Sequence, residues 1–450
     1  MAILVAYPRE PRYSDGAPIV VSVQGGHTPG NLMPPSPDAD LYGVVWVKFL
    51  FPGGRYENYV SGGEFDYNGP CCREALYSVL MYVQGKLANK AGKKITDYAP
   101  YPLLLDEIGL IGNSNGGNVV GQTLAKYSSG LEGVKYIIFY ESPVGPHYIL
   151  GDMGRKGDDP DPRTDGDGDG IPWDDARNLR YVEGSCDESG CEIDFSNLRY
   201  DPQVGFYLDN NGNGKPDYTG RYPRVRTDVD GSGAVEEDED FVFMCLTVPW
   251  DGGVKRVYSH LVTEAAESLG LFSNIPEDVA RPEEALNFWR ERAINYCYDG
   301  LARYSSQIRI MQLGFEEDHV QATRDHPHIV INYNAFKKRG FWVRLNPDKS
   351  YLELVAGRLP PSVGENPANI DLTFSNIVDH LLKYRNIKAV IYASVLEMAD
   401  RTHFNDWSDD LESVLTEGAS RVGRCTYEVE VVEGYLVTAP NGNKLYVRIY

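Results

Sequence analysis

Basic residues, cysteine and histidine are all in short supply in this chain, and no apolar run approaches the length of a membrane span. The 43 Lys and Arg are set against 65 Asp and Glu, a formal net charge of −22. Such acidity argues against nucleic acid and anionic membrane surfaces as partners. A spanning helix needs about 20 consecutive apolar residues, and none are present. The start, Met1 to Pro8, lacks the basic residues and long apolar core of a signal peptide. Seven cysteines is an odd number, so at least one thiol stays free or pairs between chains. Cys186 and Cys191 are spaced to close a small disulfide, whereas the adjacent Cys71 and Cys72 read as ordinary helix-start residues. Eight histidines leave few candidates for a general base.

What is present is most informative between Glu107 and Asn118. An apolar run, Ile108 to Ile111, leads into Gly112-x-Ser114-x-Gly116, and Val119 to Tyr127 continues with helical periodicity. Strand, glycine-flanked serine and helix together form a nucleophile elbow: the tight turn lifts the serine hydroxyl out of the backbone, and glycines keep neighbouring chain from colliding with it. The five-residue pattern alone is common in a glycine-rich chain. Its setting makes it specific.

This arrangement resembles the α/β-hydrolase superfamily, whose order is nucleophile, then acid, then histidine. Gln307 to Leu313 reads as a buried strand running into Gly314-Phe-Glu-Glu-Asp318, similar to the family's acid-bearing turn, so the resemblance implies Asp318 as the acid. Glu316, Glu317 and Glu141 compete with it, the last at the end of the strand Val134 to Tyr140. Ile387 to Ser394 reads as a further strand, and the loop after it carries His403, the implied general base. His319, His326 and His328 follow closely on the acid strand. Asp325-His-Pro-His328 reads as a loop or a weak metal site, and His260 and His380 fall in helical patterns. The chemistry needs three residue types together: Ser114 attacks, the imidazole takes and returns its proton, and the carboxylate holds the imidazole. The resemblance places the oxyanion hole at the N–H of Asn115 and, after the strand Pro18 to Val23, at Gly26. There Gln24 departs from the family's usual histidine, and His27 can face the substrate.

A second signal lies between nucleophile and acid. Asp228, Asp230, Ser232, Ala234, Glu236 and Glu239 stand at positions one, three, five, seven, nine and twelve of a loop with glycine at six, which matches an EF-hand calcium loop. Two loops repeat its first half: Asp165, Asp167 and Asp169, and then Asp209, Asn211, Asn213 and Asp217. Both resemble the aspartate-rich calcium repeats of thrombospondin type 3 and dockerin modules. Two or three structural calcium ions are expected.

The expected fold class is α/β: a hydrolase core at residues 1–145 and 285–424, an insertion or lid with the calcium loops at 146–284, and a C-terminal β-hairpin at 425–450. Within the insertion, Val254 to Leu269 and Pro282 to Tyr298 read as helices. The expected function is hydrolysis of carboxylic esters, small or polymer-linked, through an acyl-enzyme. A serine peptidase and a non-catalytic calcium-stabilised binding module are the alternatives. Calcium loops and a disulfide together suggest a secreted or cell-surface protein, its signal peptide removed.

Overall fold

The computed structural model describes residues 1–409 except 34, 36–41, 128, 151–178, 218–237, 317, 319, 321–322, 360–362 and 384–385, and beyond 409 the pairs 437–438, 444–445 and 448–449. Eight strands make the main sheet: β1 Ile3–Ala6, β2 Ala17–Val23, β3 Val45–Phe49, β4 Leu103–Asn113, β5 Val134–Tyr140, β6 Arg309–Leu313, β7 Val343–Leu345 and β8 Arg448–Ile449. Their order across the sheet is β7-β6-β5-β4-β2-β3-β1-β8. From β7 to β3 every neighbouring pair is parallel, while β1 runs antiparallel to both β3 and β8. A mostly parallel sheet must be covered on both faces, so its strands read as continuous apolar runs.

Alternate residues supply the two faces. Ile19, Val21, Leu110, Ile137 and Ile310 join a core with helices α1 (Pro70–Val83) and α2 (Gly116–Lys126). Val20, Ile111, Tyr136, Ile138 and Met311 join a second core on the other face. There they meet residues that lie within two later helices of the chain, Lys349–Ala356 and Ile387–Phe404. Between β5 and β6 the chain leaves the sheet. It forms a three-stranded sheet (Leu198–Asp201, Gly205–Leu208, Phe241–Val242), the hairpin Leu246–Trp250 with Gly253–Val257, and helices α3 (His260–Ser268) and α4 (Pro282–Arg290). Leu198, Phe206, Leu208 and Phe243 of this excursion share the core under α1 and α2. After β6 come α5 (Pro327–Lys338), α6 (Lys349–Ala356) and α7 (Ile387–Phe404). Among the described residues no helix is long and apolar enough to cross a membrane.

Several expectations need correction. Ile387 to Ser394 is not a strand but the first half of α7. A short apolar run does not distinguish a strand from a buried helix; length and caps do. Here the Asn386 side chain accepts from the Ala389 N–H, and Asn405 ends the helix in the left-handed conformation at φ +50°. Val254 to Leu269 begins as a hairpin strand and turns helical only after Ser259, whose side chain caps α3. The helix expected to reach Tyr298 ends at Arg290. In the tail, Val437–Thr438 pairs antiparallel with Lys444–Leu445. Arg448–Ile449 instead forms the sheet edge, and Thr426 to Val432 lies outside the described residues.

Candidate active site

Ser114 follows directly on β4, and its φ of +48° is the left-handed backbone that an elbow demands. Such a conformation costs a residue with a Cβ roughly 1–2 kcal/mol, so neighbouring structure must enforce it. The Ser114 N–H donates to the Tyr140 carbonyl at 2.8 Å, and its own carbonyl accepts from the Gly117 N–H at 2.9 Å. Close chain crossings explain the glycines. A Cβ at Gly116 would meet the Val23 carbonyl oxygen at 2.4 Å, and one at Gly25 would meet the Asn113 oxygen at 2.3 Å and the Ser114 Cβ at 2.8 Å. The end of β2 and the loop Gln24–His27 therefore lie against the serine. None of the hydrogen bonds among the described residues uses its Oγ.

Asn115 and Gly26 are both brought to this point. Asn115 stands at the N-cap of α2, where helix N–H groups lack an intrahelical partner. Its side-chain nitrogen lies 3.4 Å from His27 Nε2. Gly26 has φ +73°, and a Cβ there would meet nothing within 4 Å, so the space above it is open. Gln24 anchors the loop by donating to the Phe49 carbonyl at 2.7 Å and accepting from the Asn31 N–H.

Asp318 leaves the carboxyl end of β6 and is fully buried, with His328 equally buried beside it. One carboxylate oxygen lies 2.7 Å from His328 Nε2, and the other accepts from the Val320 N–H at 2.6 Å. His326 precedes the first turn of α5 at φ +40°, its ring 6.4 Å from that of His328. Burial, only partly opposed by Asp318, pushes the His326 imidazole down to about 4. Asp325, next to it, accepts from the Tyr181 hydroxyl at 2.6 Å and the Gly184 N–H at 2.9 Å, so the excursion after β5 closes over this corner. The Cys186–Cys191 disulfide is present in the same segment. Glu141, also left-handed at φ +41° and buried, is a hydrogen-bond partner of the Tyr140 side chain.

His403 is not at this site. It lies in the last turn of α7, where its Nδ1 is 3.1 Å from Glu107 and its ring stacks on Tyr13 at 3.6 Å. Glu107 precedes Ser114 by seven residues on β4, about 20 Å away along a strand at some 3.3 Å per residue. That is the opposite end of the sheet. The general base expected from the sequence is thus misplaced because the strand expected before it is a helix. His328 is the histidine that meets the acid. Its signal was available in Asp325-His-Pro-His328: proline favours the first helical position, which turns the segment into a helix start and not a free loop.

Of the expected calcium ligands, Asp165, Asp167, Asp169, Asp228, Asp230, Ser232 and Glu236 lie outside the described residues. Asp209, Asn211, Asn213 and Asp217 form one compact loop. The Asn211 and Asn213 amides donate to Asp217, and the Gly214 N–H reaches Asp209. Asp240 turns its carboxylate to this loop, accepting from the Asn210 and Asp217 N–H groups at 2.9 Å each, and the Glu239 carbonyl accepts from the Asn210 amide at 2.7 Å. Burial, and then Asp209 and Asp217, push the Asp240 carboxyl upward. Among the described residues no group of three or more His, Cys, Asp or Glu is arranged to hold a metal ion.

No family model matches the chain, and no curated protein does. Among solved structures, a lipase-esterase related protein from Clostridium acetobutylicum is similar at a TM-score of 0.29 and 10% identity, over 88% of this chain and 97% of that one. A likeness at that score carries no argument about activity.

Proposed function

We propose that this chain is a serine hydrolase of the α/β-hydrolase type that cleaves carboxylic esters through an acyl-enzyme, with Ser114 as nucleophile. The observation that supports this reading most is the strained, glycine-packed Ser114 with its unengaged hydroxyl, on the same sheet edge as a buried carboxylate–imidazole pair. Ser114 and Asp318 follow β4 and β6, with β5 between them, a lateral gap of about 10 Å. His328 on Asp318 is the imidazole suited to that gap. In this mechanism Ser114 Oγ attacks the ester carbonyl while its proton passes to His328, and the Asn115 and Gly26 N–H groups take the negative oxygen. His328 then hands the proton to the departing alkoxide, and water reverses the sequence to release the acid.

The test is a fluorophosphonate probe with p-nitrophenyl esters of graded chain length and peptide anilides. Labelling at Ser114 with ester turnover supports the reading, and anilide turnover alone would favour the peptidase. No labelling and no turnover of either substrate would leave the non-catalytic module, and turnover unchanged in Ser114→Ala would remove Ser114 as the nucleophile.

We also propose that calcium stabilises the excursion after β5, with Asp209, Asn211, Asn213 and Asp217 offering oxygen ligands in one loop and the Asp228 loop as a second site. Carboxylates gathered in this way repel one another unless a cation is bound, so binding would be coupled to folding. Chelation should lower the melting temperature, and an unchanged melting curve in excess chelator would reject the proposal. The Cys186–Cys191 disulfide supports export from the cytosol.

A further inference from the structure

The loop carrying Gly26 is held from one side by an unusual piece of backbone. Tyr67 and Asn68 are consecutive non-glycine residues in the left-handed region, at φ +57° and +66°. Two such residues in succession cost on the order of 2–4 kcal/mol, and the strain is met by specific contacts. Arg292, which follows α4, donates to the Tyr67 carbonyl at 3.2 Å and to the Asp66 carbonyl at 2.8 Å. Asp66 in turn accepts from the Gly69 and Cys71 N–H groups at the start of α1. The product of this arrangement is one side chain. Asn68, only 4% exposed, donates its amide nitrogen to the Gly26 carbonyl at 3.0 Å.

The other end of that amide decides its orientation and its purpose. Asn68 Oδ1 is buried and has no hydrogen-bond partner among the described residues, which by itself disfavours the residue, since an unsatisfied buried acceptor costs about 1–3 kcal/mol. A flipped amide would set two oxygens against each other at Gly26, so the donor must face the loop. Strain and an unsatisfied acceptor are thus both accepted in order to hold one carbonyl. Holding the Gly26 carbonyl fixes the plane of the Gly26–His27 peptide. Through the left-handed turn at Gly26, it also fixes the direction of the N–H that precedes it.

We propose that Asn68 is a positioning residue for hydrolysis: it aims the Gly26 backbone at the oxyanion that forms beside Ser114. This rests on the serine-hydrolase reading above. The placement ties the machinery to the excursion, because Arg292 secures Asn68 from the segment that follows α4.

The experiment compares Asn68→Gly and Asn68→Asp with the full chain. Glycine keeps the left-handed backbone without strain, and aspartate keeps the shape but lacks the donor. With a short p-nitrophenyl ester, both variants should lose about 10–100-fold in kcat with KM within about twofold, as expected when a transition-state donor is misaligned. Fluorophosphonate labelling of Ser114 should slow in parallel, with little change in melting temperature for Asn68→Gly. Should that variant fail to fold, Asn68→Asp carries the test. Wild-type kcat in a folded variant, or a raised KM at unchanged kcat, overturns the role of Asn68 while leaving Ser114 in place. Failure of the wild-type chain to be labelled overturns both.

Discussion

The sheet carries a histidine–carboxylate pair at each end, and the two differ in every respect that matters for chemistry. At the carboxyl end His328 and Asp318 are both fully buried at 2.7 Å, on the edge where the strands release Ser114 and Glu141. At the other end His403 and Glu107 keep 16% and 18% of their side-chain surface exposed, with Asp15 3.7 Å from the second ring nitrogen. Tyr13 stacks on His403 and donates to Asp400 at 2.7 Å, and Arg12 and Tyr351 complete that group. The second pair fastens α7 to β4. Residue type alone does not separate the two pairs; position along the strand does.

Substitutions at the two ends should break the symmetry of the comparison. The largest effect belongs to Ser114→Ala, which should lower ester turnover by several orders of magnitude and abolish probe labelling. Asp318→Asn and His328→Ala should each lower kcat by about a thousandfold or more. Should His328→Ala keep wild-type kcat while His403→Ala loses it, the assignment is reversed.

Acid should next act on the carboxyl end. Burial holds His326 down to about 4 and His147 to about 3, so both stay neutral in the fold, whereas the unfolded chain takes up protons below about 6.5. A histidine pKa depressed by folding contributes stability above its unfolded value, and this is lost as pH falls from 6.5 towards 4. Protection of the α5 amides, after correction for the intrinsic slowing of exchange in acid, should therefore fall over that interval, and His326→Gln should flatten the dependence. Unchanged protection in α5 between pH 6.5 and 4 would mean that His326 is already charged in the fold. The smallest effect is expected at His403→Ala: about 1 kcal/mol of stability for the loss of a hydrogen bond and a stacking contact away from the nucleophile, with turnover within about threefold.

Much of the carboxyl end was legible in the sequence because its signals are local. Apolar runs located β2, β5 and β6 within two residues and the second half of β4, the serine turn was framed by five residues, and six positions framed the Cys186–Cys191 bridge. What failed was long-range. β7, three residues long, carries too little pattern to be seen. α7 is buried along most of its length and takes Glu397, Asp400 and Arg401 into the interior with its apolar residues, so no stripe of apolar against polar residues betrays it. Assigning it as a strand carried the base to the wrong end of the sheet. Asn68 gave no signal at all, since its role depends on a carbonyl 42 positions away.

Three parallel strands are each followed at once by a left-handed residue that is not glycine: Ser114 after β4, Glu141 after β5 and Asn346 after β7. Asn346 repays its conformation with side-chain bonds to both backbone groups of Gly314, and Glu141 is bonded to the Tyr140 side chain. Ser114 repays nothing of the kind, because its hydroxyl serves no hydrogen bond among the described residues. An engineer seeking a more heat-resistant chain would thus find the nucleophile an attractive position: Ser114→Gly should melt higher than Ser114→Ala by the equivalent of about 1 kcal/mol, since only glycine releases the turn. The most profitable stabilising substitution and the most damaging catalytic one would then fall on the same residue, a trade between endurance and activity written into a single backbone angle.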